Sequence, residues 1–248
     1  MKVTLVIPVL NEEQQLQTSI RRLLNPGVTG WPQDLELVIA DNGSTDQTPE
    51  IAERLATEFD SIRVIRLEER GRGRALKTAW TSSDADVLAY MDVDLSTDLQ
   101  HFPELIAPLL SGEADVAIGS RLLSQSRVDR GWKREFISRS YNRIARLMTG
   151  TRISDLQCGF KAINRMVAER VLLLVKDTSW FFDSELLIIA ESMGMRIHEV
   201  PVAWRDDPDS RVRLVRTAWD DLKGLVRVRK GLRRGDYLDR RISHLQTA

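Results

Sequence analysis

The chain has 248 residues, 42% hydrophobic and 29% charged, a globular composition that excludes disorder and fibrous repeats. Lys plus Arg equals Asp plus Glu at 36 each, so no global field draws the chain to nucleic acid, and an electrostatic partner must be met by local patches. A single cysteine, Cys158, excludes an internal disulfide and a multi-cysteine metal site, and no apolar stretch reaches the roughly 18 residues of a bilayer span.

Val3 to Val9 is a short apolar run that starts almost at the N-terminus, without a signal peptide, and predicts a cytosolic protein able to lie on a membrane. A polar Asn11-Glu12-Glu13 turn follows, then Leu16, Ile20, Leu23 and Leu24 at helical spacing. The pattern returns with a strand from Leu35 to Ala40, a helix from about Thr48 to Phe59, a strand from Ile62 to Leu67, and a helix around Ala75 to Thr81. Val87 to Met91 is the next strand, Phe102 to Leu110 a helix, Asp115 to Gly119 a strand and Ile137 to Met148 a helix. Short apolar runs alternating with amphipathic helices predict an α/β fold with a mainly parallel sheet covered on both faces. Ligands of such sheets bind beyond the carboxyl ends of the strands, where the polar clusters of this chain fall. Farther on, Cys158 to Ile163 reads as extended, Glu185 to Met193 as helical and Arg196 to Trp204 as extended.

No linker or repeat interrupts residues 1–212, which predicts one domain there and an amphipathic tail over 213–248. In the tail Leu214, Val215, Ala218, Trp219, Leu222, Leu225 and Val226 fall at helical spacing among Arg213, Arg216, Arg227, Arg229 and Lys230. From Arg121 to Arg152 nine Lys/Arg face two Asp/Glu, and from Arg205 to the end twelve face seven, so the neutral total hides two cationic zones. A solvated helix face is the plain reading of each zone.

Asp92-Val93-Asp94 follows the Val87 to Met91 strand at once, which sets two hard oxygen donors at its carboxyl end. An isolated D-x-D most often caps a turn. In this position it suits Mg²⁺ or Mn²⁺ carrying a diphosphate, because these ions keep coordination sites for water and phosphate oxygen. Gly71-Arg72-Gly73-Arg74-Ala75 lies between strand and helix, where glycines let the backbone approach an anion. It lacks both the G-K-S/T ending of a Walker loop and the third glycine of a dinucleotide fingerprint, and a turn with solvated arginines is its plain reading.

Taken together, Ile7-Pro8-Val9-Leu10-Asn11-Glu12-Glu13, Asp41-Asn42-Gly43-Ser44-Thr45-Asp46, Gly71-Arg72-Gly73, Asp92-Val93-Asp94 and Gly119-Ser120-Arg121 resemble family 2 glycosyltransferases of the GT-A fold. The segments Asp155 to Lys161, Trp180 to Glu185 and Glu199 to Trp204 resemble the branch that makes dolichyl- or polyprenyl-phosphate sugars, particularly its dolichyl-phosphate glucosyltransferase-like members. The resemblance runs from about Lys2 to Val212. It implies that Pro8, Asn11, Glu12 and Asp41 border the nucleotide, that Gly71, Arg72 and Gly73 lie beside it, and that Asp92 and Asp94 hold the diphosphate and the metal. It further implies that Arg121, Arg134, Ser138 and Arg205 hold the acceptor phosphate, and it makes Asp92, Asp94, Arg121 and Arg205 the catalytic set. Asn42 stands for the usual second aspartate, Arg72 for a common lysine, Ser96 for a metal-binding glutamine, and Arg211 for a lysine after Ser210.

The expected activity is metal-dependent, inverting transfer of a hexose from a nucleotide sugar, UDP-linked by preference, to a polyprenyl phosphate. The expected site of action is the cytoplasmic face of an anionic membrane. A lipid monophosphate, with a second pKa of about 6, is already a nucleophile at neutral pH and requires positioning cations rather than a base. A rival with a sugar hydroxyl as acceptor requires a carboxylate base, for which Asp183 or Glu185 is placed, although Asp183 also reads as a helix cap. A non-catalytic nucleotide-sugar binder is the second rival. Trp180, Phe181 and Phe182 read as core or as an apolar wall, Cys158 as a small buried hydrophobe, and His101, His198 and His244 as surface or structural. The tail stripe Leu214, Ala218, Trp219, Leu222, Leu225 and Val226 is expected to enter the membrane interface with Arg227, Arg229, Lys230, Arg233 and Arg234 on anionic lipid; packing on the domain, or a homodimer seam, is the competing expectation. A separate membrane-anchoring partner is a further possibility.

Overall fold

A computed structural model describes residues 1–205 and 214–237, with 214–218 as helix backbone only. The elements in chain order are β1 (Val3–Val9), α1 (Leu16–Leu24), β2 (Leu35–Asp41), α2 (Thr48–Glu58), β3 (Ile62–Arg66), α3 (Arg72–Thr81), β4 (Val87–Met91), α4 (His101–Leu110), β5 (Val116–Ser120), β6 (Arg127–Asp129), α5 (Trp132–Thr149), β7 (Phe160–Asn164), α6 (Arg165–Arg170), α7 (Phe182–Ser192), β8 (Ile197–Pro201), β9 (Ala203–Arg205) and α8 (Leu214–Arg234).

Seven strands form one sheet in the order β3-β2-β1-β4-β7-β5-β8, and β6 pairs with β9 in a separate two-stranded ribbon. Parallel pairing joins β1 to β2 and β4, β2 to β3, and β5 to β8, as the alternating pattern predicts. β7 runs antiparallel between β4 and β5. Its amino end, next to Gly159, therefore meets the carboxyl ends of β1, β4 and β5 at one edge of the sheet. The chain order reverses between β1 and β4, the crevice where open sheets of this kind receive ligands.

Both sheet faces are dry. Leu5, Ile7, Leu37, Ile39, Ala89 and Met91 pack with α1, α2 and α4, while Val6, Val38, Leu88 and Tyr90 pack with α3, α7 and α8 on the other side. This period-two split is why the strands read as continuous apolar runs. The segment expected as one extended run from Arg196 to Trp204 divides into β8 and β9, which belong to different sheets. α5 starts at Trp132, one turn and more ahead of the predicted Ile137, because its N-cap is Gly131 without a side-chain cap to mark it in sequence.

The tail expectation is corrected at Leu225. Leu225 and Val228 are fully buried in the core, Leu222 packs against it, and α8 lies on α5 and α7, so this stripe faces the domain. Only Trp219 and Val226 of the expected membrane stripe are exposed large apolar side chains among the described residues. Arg211 and the 212/213 boundary fall outside the described residues, as does His244. No described helix is long and apolar enough to cross a membrane.

Candidate active site

The turns after β1 and β2 are stitched into one wall. Asn11 adopts a left-handed φ of 56°, a conformation asparagine tolerates. Its backbone N–H donates to Ser44 Oγ at 2.9 Å, and its Oδ1 accepts from the Thr45 N–H at 2.8 Å. The Glu12 N–H donates to Thr48 Oγ1 at 2.7 Å, which ties the same turn to the start of α2. Asp41 is fully buried; its Oδ1 accepts from the Ser44 N–H at 3.0 Å, and its Oδ2 has no hydrogen-bond donor, with Arg66 Nε 3.7 Å away. A buried carboxylate oxygen in that state is an acceptor awaiting a donor. Pro8 ends this wall on β1, paired in register with Ala40.

Arg72 is neither solvated nor part of a loop. It opens α3 and its side chain is 11% exposed, donating through Nη2 to Asp92 Oδ1 at 2.5 Å and through Nη1 to Asp183 Oδ2 at 2.6 Å. Its guanidinium carbon lies 4.9 Å from the Tyr90 ring centroid and 5.2 Å from that of Trp180. Burial disfavours its charge, yet Asp92, Asp183 and the ring of groups around it hold its pKa well above the ordinary arginine value. The two glycines around Arg72 serve packing. The Gly71 N–H donates to Asn42 Oδ1 at 2.6 Å, and a Cβ on Gly73 would stand 2.5 Å from Phe182 Cβ, so Gly73 brings α3 against α7.

Asp183 lies 2% exposed at the start of α7. It does not cap the helix: Phe181 is the N-cap, and the carboxylate is instead shared among Arg72, Tyr90 Oη–H and Lys161 Nζ, the last at 3.3 Å. Burial raises its pKa, but Lys161 and Arg72 outweigh burial and keep the carboxyl below its usual range. Lys161, fully buried on β7, also donates to Cys158 O and to Tyr90 Oη. Glu185 is fully buried as well; its Oε2 accepts from the Lys176 and Asp177 N–H groups at 3.0 and 2.6 Å and from Arg227 Nη2 of α8 at 3.0 Å. Trp180 is partly exposed while Phe181 and Phe182 are core, so the aromatic triplet splits between the two readings.

Asp92 and Asp94 line one recess with Ser96, Thr97, Gly159 and Trp204. The turn is tight: Leu95 is left-handed at φ 50°, its N–H reaches Asp92 O at 3.1 Å, and the Ser96 N–H reaches Asp94 Oδ1 at 3.0 Å. A leucine held there stores about 1–3 kcal/mol of backbone strain, a frequent property of functional turns. A Cβ on Gly159 would fall on the Asp92 carboxylate. The donor set fits a hard divalent ion: two carboxylates and the hydroxyls of Ser96 and Thr97, with no imidazole or thiolate in the lining. Among the described residues no group of three or more His, Cys, Asp or Glu is placed to hold a metal, and an ion at Asp92 and Asp94 would take its other ligands from water or phosphate oxygen.

Arg121 follows β5 at the same edge. Nε and Nη2 make a bidentate pair with Asp155 at 2.7 and 2.9 Å, and its guanidinium carbon stands 4.9 Å from the centroid of Trp204, which links it to the recess. Asp155 is fully buried, which raises its carboxyl, but Arg121 overcomes this and holds it down to about 2. Arg205, exposed on β9, donates its N–H to Ser96 O at 2.9 Å, which binds β9 to the Asp92–Ser96 turn. Arg134 and Ser138 lie apart from these contacts, one turn from each other on α5. Ser138 is buried and its Oγ has no hydrogen-bond partner. The link to the site is indirect: Asn142 Nδ2 donates to Ser138 O at 3.0 Å, and Asn142 Oδ1 accepts from the Leu156 N–H at 3.0 Å, next to Asp155.

Tyr90, Asp155 and Lys161 carry this arrangement although the sequence assigns them no role. The signal for Lys161 and Asp155 is a charged residue inside or beside an apolar strand, where a partner is obligatory. The plain readings hold for Cys158, fully buried with its thiol pushed up to about 12 by burial, and for His101, whose Nε2 accepts from the Ala203 N–H at 3.0 Å. His198 is exposed.

Residues 4–172 match glycosyl transferase family 2. Glycosyltransferase AglD of Haloferax volcanii is 41% identical over 87% of this chain, which spans only 35% of that protein. The dolichyl-phosphate beta-glucosyltransferase of Mus musculus is 30% identical over 85% of this chain and 69% of its own length. Among solved structures, the UDP complex of glucosyl-3-phosphoglycerate synthase from Mycobacterium tuberculosis superposes with a TM-score of 0.68 at 23% identity, covering 93% of this chain and 80% of that one. That likeness identifies the GT-A fold expected from the sequence.

Proposed function

This chain belongs to glycosyl transferase family 2, and from that premise we propose that it moves a hexose from a UDP-linked donor to the phosphate of a polyprenyl phosphate. The observation that carries the acceptor class is the state of the two carboxylates a hydroxyl acceptor would need as base. Asp183 is sealed among Arg72, Lys161 and Tyr90, and Glu185 among two backbone N–H groups and Arg227. A carboxylate whose oxygens are engaged in ion pairs and hydrogen bonds away from solvent is a poor proton acceptor. The names of the dolichyl-phosphate relatives support the same acceptor.

The wall of Asn11, Glu12 and Asp41 takes the nucleoside, with the orphan Asp41 Oδ2 as acceptor for a donor N–H. Asp92 and Asp94 would hold Mg²⁺ or Mn²⁺, which supplies counter-charge to the leaving diphosphate. Arg72 fixes the Asp92 carboxylate from behind, so that side chain is oriented before the donor arrives. Arg121, Arg134, Ser138 and Arg205 position the acceptor phosphate, a dianion that attacks the anomeric carbon in one displacement and inverts it. Asp155 holds Arg121 by two of its nitrogens and aims the guanidinium beside Trp204.

Kinetics on substituted enzymes test this reading. Arg205→Ala and Arg134→Ala are expected to raise the lipid KM or lower kcat with donor affinity kept within about threefold. A folded, donor-binding Asp183→Asn protein that is inactive while both arginine variants work normally would transfer the assignment to a hydroxyl acceptor.

A further inference from the structure

Helix α5 has two faces of opposite character. Ser138, Tyr141, Asn142 and Ala145 are its buried side. Trp132, Phe136 and Leu147 fall on the side away from them, at 75%, 68% and 77% exposure, with Arg143 between them and Lys133 and Ile144 at one flank. Large apolar side chains held in water along one helix face mark an interaction surface, since such exposure is not what stabilises a monomer. The helix carries five Lys/Arg against one Asp/Glu, and that acid, Glu135, is paired to Arg130 and Arg139.

We propose that the outer face of α5 is the surface by which this protein seats on an anionic lipid bilayer, with Trp132 and Phe136 entering the interface. The proposal rests on the reading that the acceptor is a polyprenyl phosphate, and deepens it. Three observations select this occupant. Aromatic residues interleaved with Lys and Arg on one helix face form the pattern of a helix lying in the headgroup plane. A second copy of the same face would set Lys133, Arg139 and Arg143 against the same three cations, whereas anionic headgroups complement them. The inner side of the same helix carries Arg134 and Ser138, so a bilayer on the outer face brings a lipid phosphate within one helix diameter of the residues proposed to hold it. Helix α8, expected from sequence to make this contact, has its Leu225 and Val228 committed to the core and serves as a brace behind α5 and α7.

Co-sedimentation of the full chain with phosphatidylcholine vesicles, with and without a quarter phosphatidylglycerol, tests the face. Wild type is expected to prefer the anionic vesicles and to release as salt rises. The double variant Trp132→Ser/Phe136→Ser should lose at least tenfold in partitioning, Leu147→Ser severalfold, and Trp219→Ser on α8 no more than twofold. Unchanged circular dichroism and UDP binding, together with unchanged transfer to a water-soluble short-chain prenyl phosphate, identify the loss as one of docking. Wild-type partitioning of the double variant, a loss confined to Trp219→Ser, or indifference of wild type to phosphatidylglycerol overturns the proposal. So does a concentration-dependent dimer in ultracentrifugation that the double variant dissolves. Failure of wild type to use the soluble phosphate would count against the acceptor reading, while vesicle partitioning alone decides the docking face.

Discussion

Arg72 ties Asp92 at the recess to Asp183 buried behind it, and a carboxylate of the recess and the buried one differ in what their loss costs. Asp94→Ala is expected to lower kcat by about 10²-fold or more, with the melting temperature nearly unchanged, because the charge it removes acts on the leaving diphosphate. Asp183→Ala, in contrast, strands Lys161 in the core and releases Arg72, and breaking a buried pair in this way costs about 3–5 kcal/mol of stability. Chemical denaturation separates the two: a full-stability Asp183→Ala protein would mean that the buried network does not hold the site together. The sequence places Asp92, Asp94 and Arg121 at strand ends correctly because a short apolar run followed by a charged pair marks the sheet edge. It hides Asp183 and Lys161 because a buried charge and a surface charge are written with the same letter; only the partners, 22 positions apart in sequence and 3.3 Å apart in space, tell them from each other.

At the scale of elements, Gly159 shows how strand direction builds the recess. β7 runs antiparallel to β4, so the residue before it meets the residue after β4, and there is no room for a side chain between Gly159 and the Asp92 carboxylate. Gly159→Ala is therefore expected to reduce turnover at least tenfold by displacing Asp92 and the Arg72 hand that holds it; normal kcat/KM in that variant would show that Asp92 tolerates the shift. Hydrophobic period distinguishes strand from helix but carries no direction, which is why β7 was legible as extended and not as antiparallel. The start of α5 was hidden for a related reason. Its first turn exposes Trp132 and Phe136, so apolar residues there point away from the core that the helical pattern presumes. On α8 the same periodicity is genuine, and it marks a face packed on the domain rather than one turned to lipid.

For the molecule as a whole, α8 couples stability to pH through Asp221. This side chain is 2% exposed, its Oδ2 accepts from Gln157 Nε2 at 2.7 Å and its Oδ1 has no hydrogen-bond partner. Burial pushes its carboxyl up to about 7, with Asp177 and Asp220 adding to the rise. The folded chain thus keeps a proton that the unfolded chain loses from about pH 4 upward, so this group's contribution falls as pH rises from about 4 to about 7 and stays at its lowest above. Asp221→Asn is expected to be more stable than wild type by roughly 1–3 kcal/mol at pH 8, with the difference vanishing near pH 4 in urea titrations; a difference independent of pH would contradict the assignment. Hexose transfer to a lipid phosphate is read directly by mass spectrometry of the lipid after incubation of the full chain with polyprenyl phosphate, Mn²⁺ or Mg²⁺ and a panel of nucleotide sugars. The expected product is a polyprenyl phosphate heavier by one hexosyl unit with a UDP-linked donor, formed by wild type and absent with Asp94→Ala. An unmodified lipid alongside hexose transferred to a sugar hydroxyl, or donor binding with no transfer to any acceptor, would contradict it.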